Sequence, residues 1–265
     1  MAHPSWPDRT LGVFETILVV GGSPVELDAH LRRLHASVEE LFGAPAPATA
    51  RAIVLERAAR LSLGRLRVTV RPARDGILEL EAVSAPLARA DLFPAWERAV
   101  RLQPFELPGG LGAHKWADRA PVKRLEAGAR DRVPLLLDAG GEVLEASRAN
   151  VFAVYGGVLI TPPADERILA GVARGRLIAI ARELDIELRE ETLHLDRLLA
   201  AGAAFLTGSL RGVEPVRSVA EAQLAPPGRA AARVAAGLRR AWLGGLCDAP
   251  AAGDASARSG AAASR

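Results

Sequence analysis

The sequence predicts a mixed α/β fold, α+β in its first part, built as two units. Three observations predict it. Short β-rich runs bounded by turn residues alternate with stretches whose apolar residues recur at helical spacing. The segment Gln103–Gly112 gathers Pro104, Pro108, Gly109, Gly110 and Gly112, as an interdomain linker does. The chain has 265 residues, 49% of them hydrophobic and 25% charged, which is enough for a real core. The expected division is a small α/β domain over 1–102, a linker over 103–113, a larger domain over 114–246 and a disordered tail over 247–265. The tail is expected from its small and polar residues.

Residues 12–20 are β-rich and end at the turn signal Gly21-Gly22-Ser23-Pro24. From Asp28 to Phe42, Leu31, Leu34, Val38, Leu41 and Phe42 recur at helical spacing, and Gly43 ends the helix. A second helix is expected over Ala48–Leu61. Strands follow at Arg65–Arg71 and Ile77–Ser84, joined by the hairpin turn Asp75-Gly76. A further strand is expected at Arg98–Leu102. After the linker come a helix to about Ala129 and strands at Val133–Asp138, Val143–Glu145, Asn150–Tyr155 and Val158–Thr161. A helix from Ala170-Gly171 to Leu184, a strand over Ile186–Glu191, a short helix over Leu195–Ala201 and a strand over Ala204–Thr207 complete the pattern. A last helix is expected over Gly228–Leu243.

Composition narrows the function classes. No apolar run is long enough for a membrane helix, and the N-terminus lacks the pattern of a signal peptide. Cys247 is the one cysteine, which excludes an internal disulfide and a thiolate zinc cluster. A cytoplasmic protein is the expectation. The net charge is only +3, and acids are interleaved with the arginines, so no nucleic-acid arm is read. The 34 basic residues include just two lysines, Lys115 and Lys123. Arginine stays protonated, whereas a lysine can lose its proton and attack a carbonyl.

The sequence has no Walker loop, dinucleotide-binding glycine fingerprint or Gly-X-Ser-X-Gly elbow, and its five histidines show no metal spacing. One constellation remains. Lys115 follows the glycine-rich segment. Glu145 opens a polar insert, Glu-Ala-Ser-Arg-Ala-Asn, between apolar strand residues, a place for a buried acid with a partner. Ala170-Gly171-Val172-Ala173 at a helix start and Thr207-Gly208-Ser209 after a strand both suit anion binding by backbone N–H groups. Arg32 or Arg33 offers a fixed charge. An amine, a carboxylate and two phosphate cradles are what pyridoxal 5'-phosphate (PLP) requires, although the same segments also fit structural turns and caps.

Taken in order, several stretches resemble the fold-type IV PLP enzymes, the class-IV aminotransferase family with the D-amino acid aminotransferase-like fold. They are Val13-Phe14-Glu15-Thr16, His30-Leu31-Arg32-Arg33-Leu34, His114-Lys115, Glu145 to Phe152, Leu159 to Pro163, Ile168 to Arg174 and Leu206 to Val216. The resemblance spans about residues 11–220. It implies Lys115 as the Schiff-base lysine, Glu145 as the acid on the pyridine nitrogen and Arg33 as the phosphate arginine. It implies Val172 and Ala173 as backbone donors to the phosphate and Ser209 as a phosphate-binding hydroxyl.

Within the family, Thr16 and the segments around His114-Lys115 and Leu206–Val216 resemble the 4-amino-4-deoxychorismate lyases. A branched-chain or D-amino acid aminotransferase is the alternative, and a diverged non-catalytic member a further one. Thr16 is then a candidate to assist proton transfer, and Arg67, Arg119 and Arg211 are candidates for binding substrate. The resemblance also implies a small-molecule substrate and a homodimer, and from the sequence itself no metal, nucleic acid or membrane partner is expected. Against the family pattern, the N-terminal edge of the small domain is expected to be shortened. Leu18 stands where an arginine is common, and Ala173 replaces a usual threonine.

Overall fold

The computed structural model describes residues 6–73 and 76–247. Asp75 and residues 248–265, in the expected hairpin turn and tail, lie outside the described residues.

In the first part, β1 (Val13–Val20), β2 (Ser23–Pro24), β3 (Leu63–Pro72) and β4 (Leu78–Pro86) form an antiparallel sheet in the order β2-β1-β3-β4. Helix α1 (Leu27–Phe42) buries Leu31, Leu34 and Val38 against Ile17 and Val19 of β1 and Leu66 and Val68 of β3. Each such side chain contributes about 2 kcal/mol on burial. Helix α2 (Ala50–Ala58) adds Val54 to the same cluster. Gly43 ends α1 at φ +64, with its N–H on the Glu39 carbonyl.

Strand β1 is buried on both faces. Val13, Ile17 and Val19 join the α1 cluster, whereas Leu18 packs with Phe152, Leu177 and Phe205 of the larger part. The side chain at the position where the family often carries arginine is therefore core here.

The larger part holds nine strands. They are β5 (Val100–Glu106), β6 (Val133–Leu137), β7 (Val143–Ala146), β8 (Asn150–Tyr155), β9 (Val158–Thr161), β10 (Leu188–Glu190), β11 (Ala203–Gly208), β12 (Gly212–Val219) and β13 (Ala222–Gln223). Their order is β10-β9-β8-β11-β12-β5-β6-β7, with β13 on β12. Helices α3 (Ala120–Ala129), α4 (Val172–Glu183), α5 (Leu195–Leu199) and α6 (Arg229–Cys247) complete it. One sheet face packs Phe152 and Phe205, their rings stacked at 5.0 Å, under Leu177 and Ile180 of α4 and Val234 and Leu238 of α6. The other carries Leu135, Val151, Leu206 and Val216, with Leu198 of α5. Covered on both faces, β8 and β11 read as continuous apolar runs, which made them legible in the sequence.

Two expectations change. The strand expected to end at Leu102 runs to Glu106, so residues 103–106 of the expected linker lie in the large sheet beside β6. Its pairing with β12 stops at Leu102, and Pro104 is bonded on one side only. A proline is tolerated where a strand has no neighbour to receive its missing N–H. The segment after Gly208, read as a motif without an element, contains an eight-residue strand, β12.

Candidate active site

Lys115 sits on the loop between β5 and α3, and β1 holds that loop in place. The Phe14 N–H donates to the Lys115 carbonyl at 2.9 Å, and the Ala117 N–H donates to the Gly12 carbonyl at 2.9 Å. Upstream, Gly110 has φ +67, and a Cβ there would lie 2.1 Å from the Arg167 carbonyl oxygen. Only glycine fits that approach. The glycines before Lys115 thus shape its loop.

One pocket brings together Lys115, Glu145, Arg33, Val172, Ala173 and Ser209. These residues come from five places in the chain. Glu145 on β7 is buried and accepts only two long hydrogen bonds, each 3.4 Å, from Asn150 Nδ2 and the Leu169 N–H. Burial pushes its carboxyl up to about 8, against the pull of the Leu169 N–H and the Lys115 charge. Burial, helped by the charge of Arg33, pulls the Lys115 amine down to about 8. A buried acid and a buried amine in one pocket with pKa values moved toward each other are a usual mark of a reacting centre.

Helix α4 begins at Gly171 without a side-chain cap, so its first backbone N–H groups are free of side-chain partners. A Cβ on Gly171 would lie 2.0 Å from Asn150 Oδ1, which fixes this end of the helix against β8. Arg33 on α1 donates from Nη1 to the Ala170 carbonyl at 2.7 Å. Its Nε and Nη2 each reach Glu15 at 2.7 Å, and His30 Nδ1 donates to the same carboxylate at 2.7 Å. Burial alone would raise the Glu15 carboxyl. The charge of Arg33 and the hydrogen bonds from His30 and Arg33 outweigh it and hold it at about 2.

The residues fit PLP. The Thr207 Oγ1 is buried with no partner and lines the same pocket as the uncapped α4 terminus, Arg33 and Ser209. That donor set suits a phosphate dianion. The underpaired Glu145 suits the protonated ring nitrogen.

A second pocket shares Lys115, Arg148 and Ser209 with the first and adds Phe14, Thr16 and Arg211 to its wall. Arg119 lines both pockets and donates to the Ser147 carbonyl at 2.8 Å. Arg67 lines neither. Its guanidinium lies 3.7 Å over the Phe14 ring, and on β3 it is the register partner of Thr16. Sequence reasoning singled out none of Glu15, Asn150, Arg148 and Glu214, and it read Thr207 only as part of the Thr207-Gly208-Ser209 anion-binding segment. Glu15 carried the same signal as Glu145, an acid among apolar strand residues. Among the described residues, no group of three or more His, Cys, Asp or Glu is placed to hold a metal ion. No described helix is long and apolar enough to cross a membrane.

The model of the class IV amino-transferase family matches residues 12–219. The chain belongs to that family. Pyridoxal 5'-phosphate is the cofactor of the class IV aminotransferases, and the fold is theirs. In sequence, the chain is 40% identical to the Escherichia coli branched-chain-amino-acid aminotransferase over 85 residues. That match takes in 32% of this chain, and the chain spans only 28% of the relative's length. In structure, it resembles a putative 4-amino-4-deoxychorismate lyase from Legionella pneumophila, with TM-score 0.79 and 22% identity over 90% of this chain and 96% of that one. It also resembles the 4-amino-4-deoxychorismate lyase from Pseudomonas aeruginosa, with TM-score 0.74 and 26% identity over 90% of this chain and 95% of that one.

Proposed function

We propose that this class IV family member is a 4-amino-4-deoxychorismate lyase, releasing pyruvate to leave 4-aminobenzoate. The observation that carries the reading is Thr16, a hydroxyl on β1 in the wall of the pocket that also holds Lys115. The likeness to the Pseudomonas aeruginosa lyase over nearly its whole length supports it. PLP, bound at Lys115, supplies the electron sink. The residues do the rest. Lys115 Nζ, with its lowered proton affinity, takes the proton from the carbon that bears the substrate amine. The bond from the ring to the enolpyruvyl oxygen breaks with its electron pair on oxygen, and the departing enolate takes one proton on its methylene carbon to become pyruvate. The ring becomes aromatic, and no oxidant or water is consumed. Thr16 shares the wall of that pocket with Lys115 and passes a proton to the leaving group. Glu145 holds the ring nitrogen's proton, and Arg33, Val172, Ala173, Ser209 and Thr207 bind the phosphate. On this reading the enzyme is a cytoplasmic homodimer on a step toward folate.

The sequence likeness to branched-chain-amino-acid aminotransferases supports a second reading, amino transfer. The test supplies the PLP-loaded protein with aminodeoxychorismate and, separately, with an L- or D-amino acid plus a 2-oxo acid. Equal yields of 4-aminobenzoate and pyruvate are expected from the first. New amino acid from the second, with no 4-aminobenzoate from the first, overturns the lyase in favour of the aminotransferase.

A further inference from the structure

The second pocket has a charged end that the steps above leave unused. Glu214 on β12 is buried, with 2% of its side chain exposed. Arg148, in the turn between β7 and β8, donates from Nη1 to Oε2 at 2.9 Å and from Nη2 to Oε1 at 3.2 Å. Arg211, in the hairpin between β11 and β12, donates from Nη1 to Oε1 at 3.1 Å. The two arginine side chains are 35% and 36% exposed, and both residues line the pocket.

Burying a carboxylate costs several kcal/mol, and an ion pair rarely returns more than that, so strand β12 gains little stability from Glu214. What Glu214 does is hold side by side two cations from turns far apart in the sequence, Arg148 before β8 and Arg211 before β12. A guanidinium carries five N–H donors, and Glu214 takes two from Arg148 and one from Arg211, so donors remain on both. The cluster of two cations and one anion keeps a net positive charge, beside Arg119 and Lys115 in the same wall.

We propose that Arg148 and Arg211, fixed by Glu214, form a carboxylate subsite that selects small amine substrates with a carboxylate remote from the reacting amine. The inference rests on the lyase reading, whose substrate carries one carboxylate on its ring and another on the enolpyruvyl group. Arg148 and Arg211 touch the substrate, and Glu214 is a positioning residue.

Chorismate is the probe, because it keeps both carboxylates and has a hydroxyl in place of the amine. Titrated into the PLP-loaded protein by calorimetry, it binds the wild type. Arg211→Gln and Arg148→Gln each weaken that binding about tenfold, the loss expected for one charge-assisted hydrogen bond. Arg211→Lys recovers part of it. Glu214→Gln raises KM for 4-aminobenzoate release more than it lowers kcat, which a merely structural role would not do. Chorismate binding that is absent in the wild type, or unchanged in both arginine variants, overturns the subsite. Weakened binding in those variants, in a protein that releases no 4-aminobenzoate, sustains the subsite and sinks the lyase reading.

Discussion

Glu15 and Glu145 are the same residue type, each buried on a strand, Glu145 in the wall of the Lys115 pocket and Glu15 bonded to Arg33 of that wall, and their proton affinities move in opposite directions. Glu15 is held at about 2, and Glu145 is pushed up to about 8. The difference lies in their partners. Glu15 meets Arg33 and His30 in three hydrogen bonds of 2.7 Å, so its charge is satisfied by the fold itself. Glu145 has two bonds of 3.4 Å and no cation held against it. One carboxylate completes the protein, and the other is built to meet something the chain does not supply.

Lys115 is the cation nearest in role to both acids, and its removal is the largest perturbation. Lys115→Ala is expected to lower activity by about a thousandfold or more, within the range for losing a positioned base and nucleophile. Borohydride should fix PLP covalently to the wild type and not to the variant, as read by visible absorption and mass. Trapping in the variant would remove Lys115 from its proposed role.

The two acids should separate under the same conservative change. Glu15→Gln leaves Arg33 short of its partner and is expected to cost about 3 kcal/mol of stability, as breaking a buried pair does, measured by urea unfolding. Glu145→Gln should leave stability of the PLP-free protein unchanged or raised, and lower turnover about a hundredfold by weakening the ring nitrogen's proton. Equal stability losses in the two variants would erase the contrast.

Their pH dependences should also run in opposite senses. The depressed Glu15 carboxyl contributes stability that is present above its ordinary 4.5 and lost as pH falls toward 2. The raised Glu145 carboxyl contributes stability present below 4.5 and lost as pH rises through about 8. Lys115, lowered from 10.5, carries a cost that is full below about 8 and relieved as pH rises toward 10.5. PLP-free protein should therefore weaken between pH 5 and 8, and Glu145→Gln should flatten that slope in urea titrations.

The smallest effect tests the phosphate side of the pocket. Thr207→Val removes a buried hydroxyl without a partner. It should stabilise the PLP-free protein by up to about 1 kcal/mol and weaken PLP binding by a similar amount. Unchanged PLP affinity in a spectroscopic titration would take Thr207 out of the phosphate cradle.

Much of this was legible in the sequence where the signal is local. The runs Asn150–Tyr155 and Val158–Thr161 are continuous apolar stretches between turn glycines, and the structure shows strands with those bounds. Lys115 stood out in a chain that otherwise uses arginine, and Glu145 stood out as an acid between apolar strands. The extension of β5 through Pro104 was not legible, because it depends on where β12 stops pairing. Strand β12 was hidden by its glycine, proline and charged residues, which look like loop until β11 and β5 lie on either side.

The sequence by itself determined the alternation of elements, the family resemblance and the short motifs, because each depends on neighbours in the chain and on side-chain periodicity. Only the tertiary structure decided what those motifs meet. It set Arg33 on Glu15, left the Thr207 hydroxyl unpartnered, turned Leu18 into core and closed Arg148 and Arg211 on Glu214. The reason is physical. The charge and hydrogen-bonding state of a side chain are set by desolvation and by partners within a few ångströms, and those partners come from strands and turns far apart in sequence.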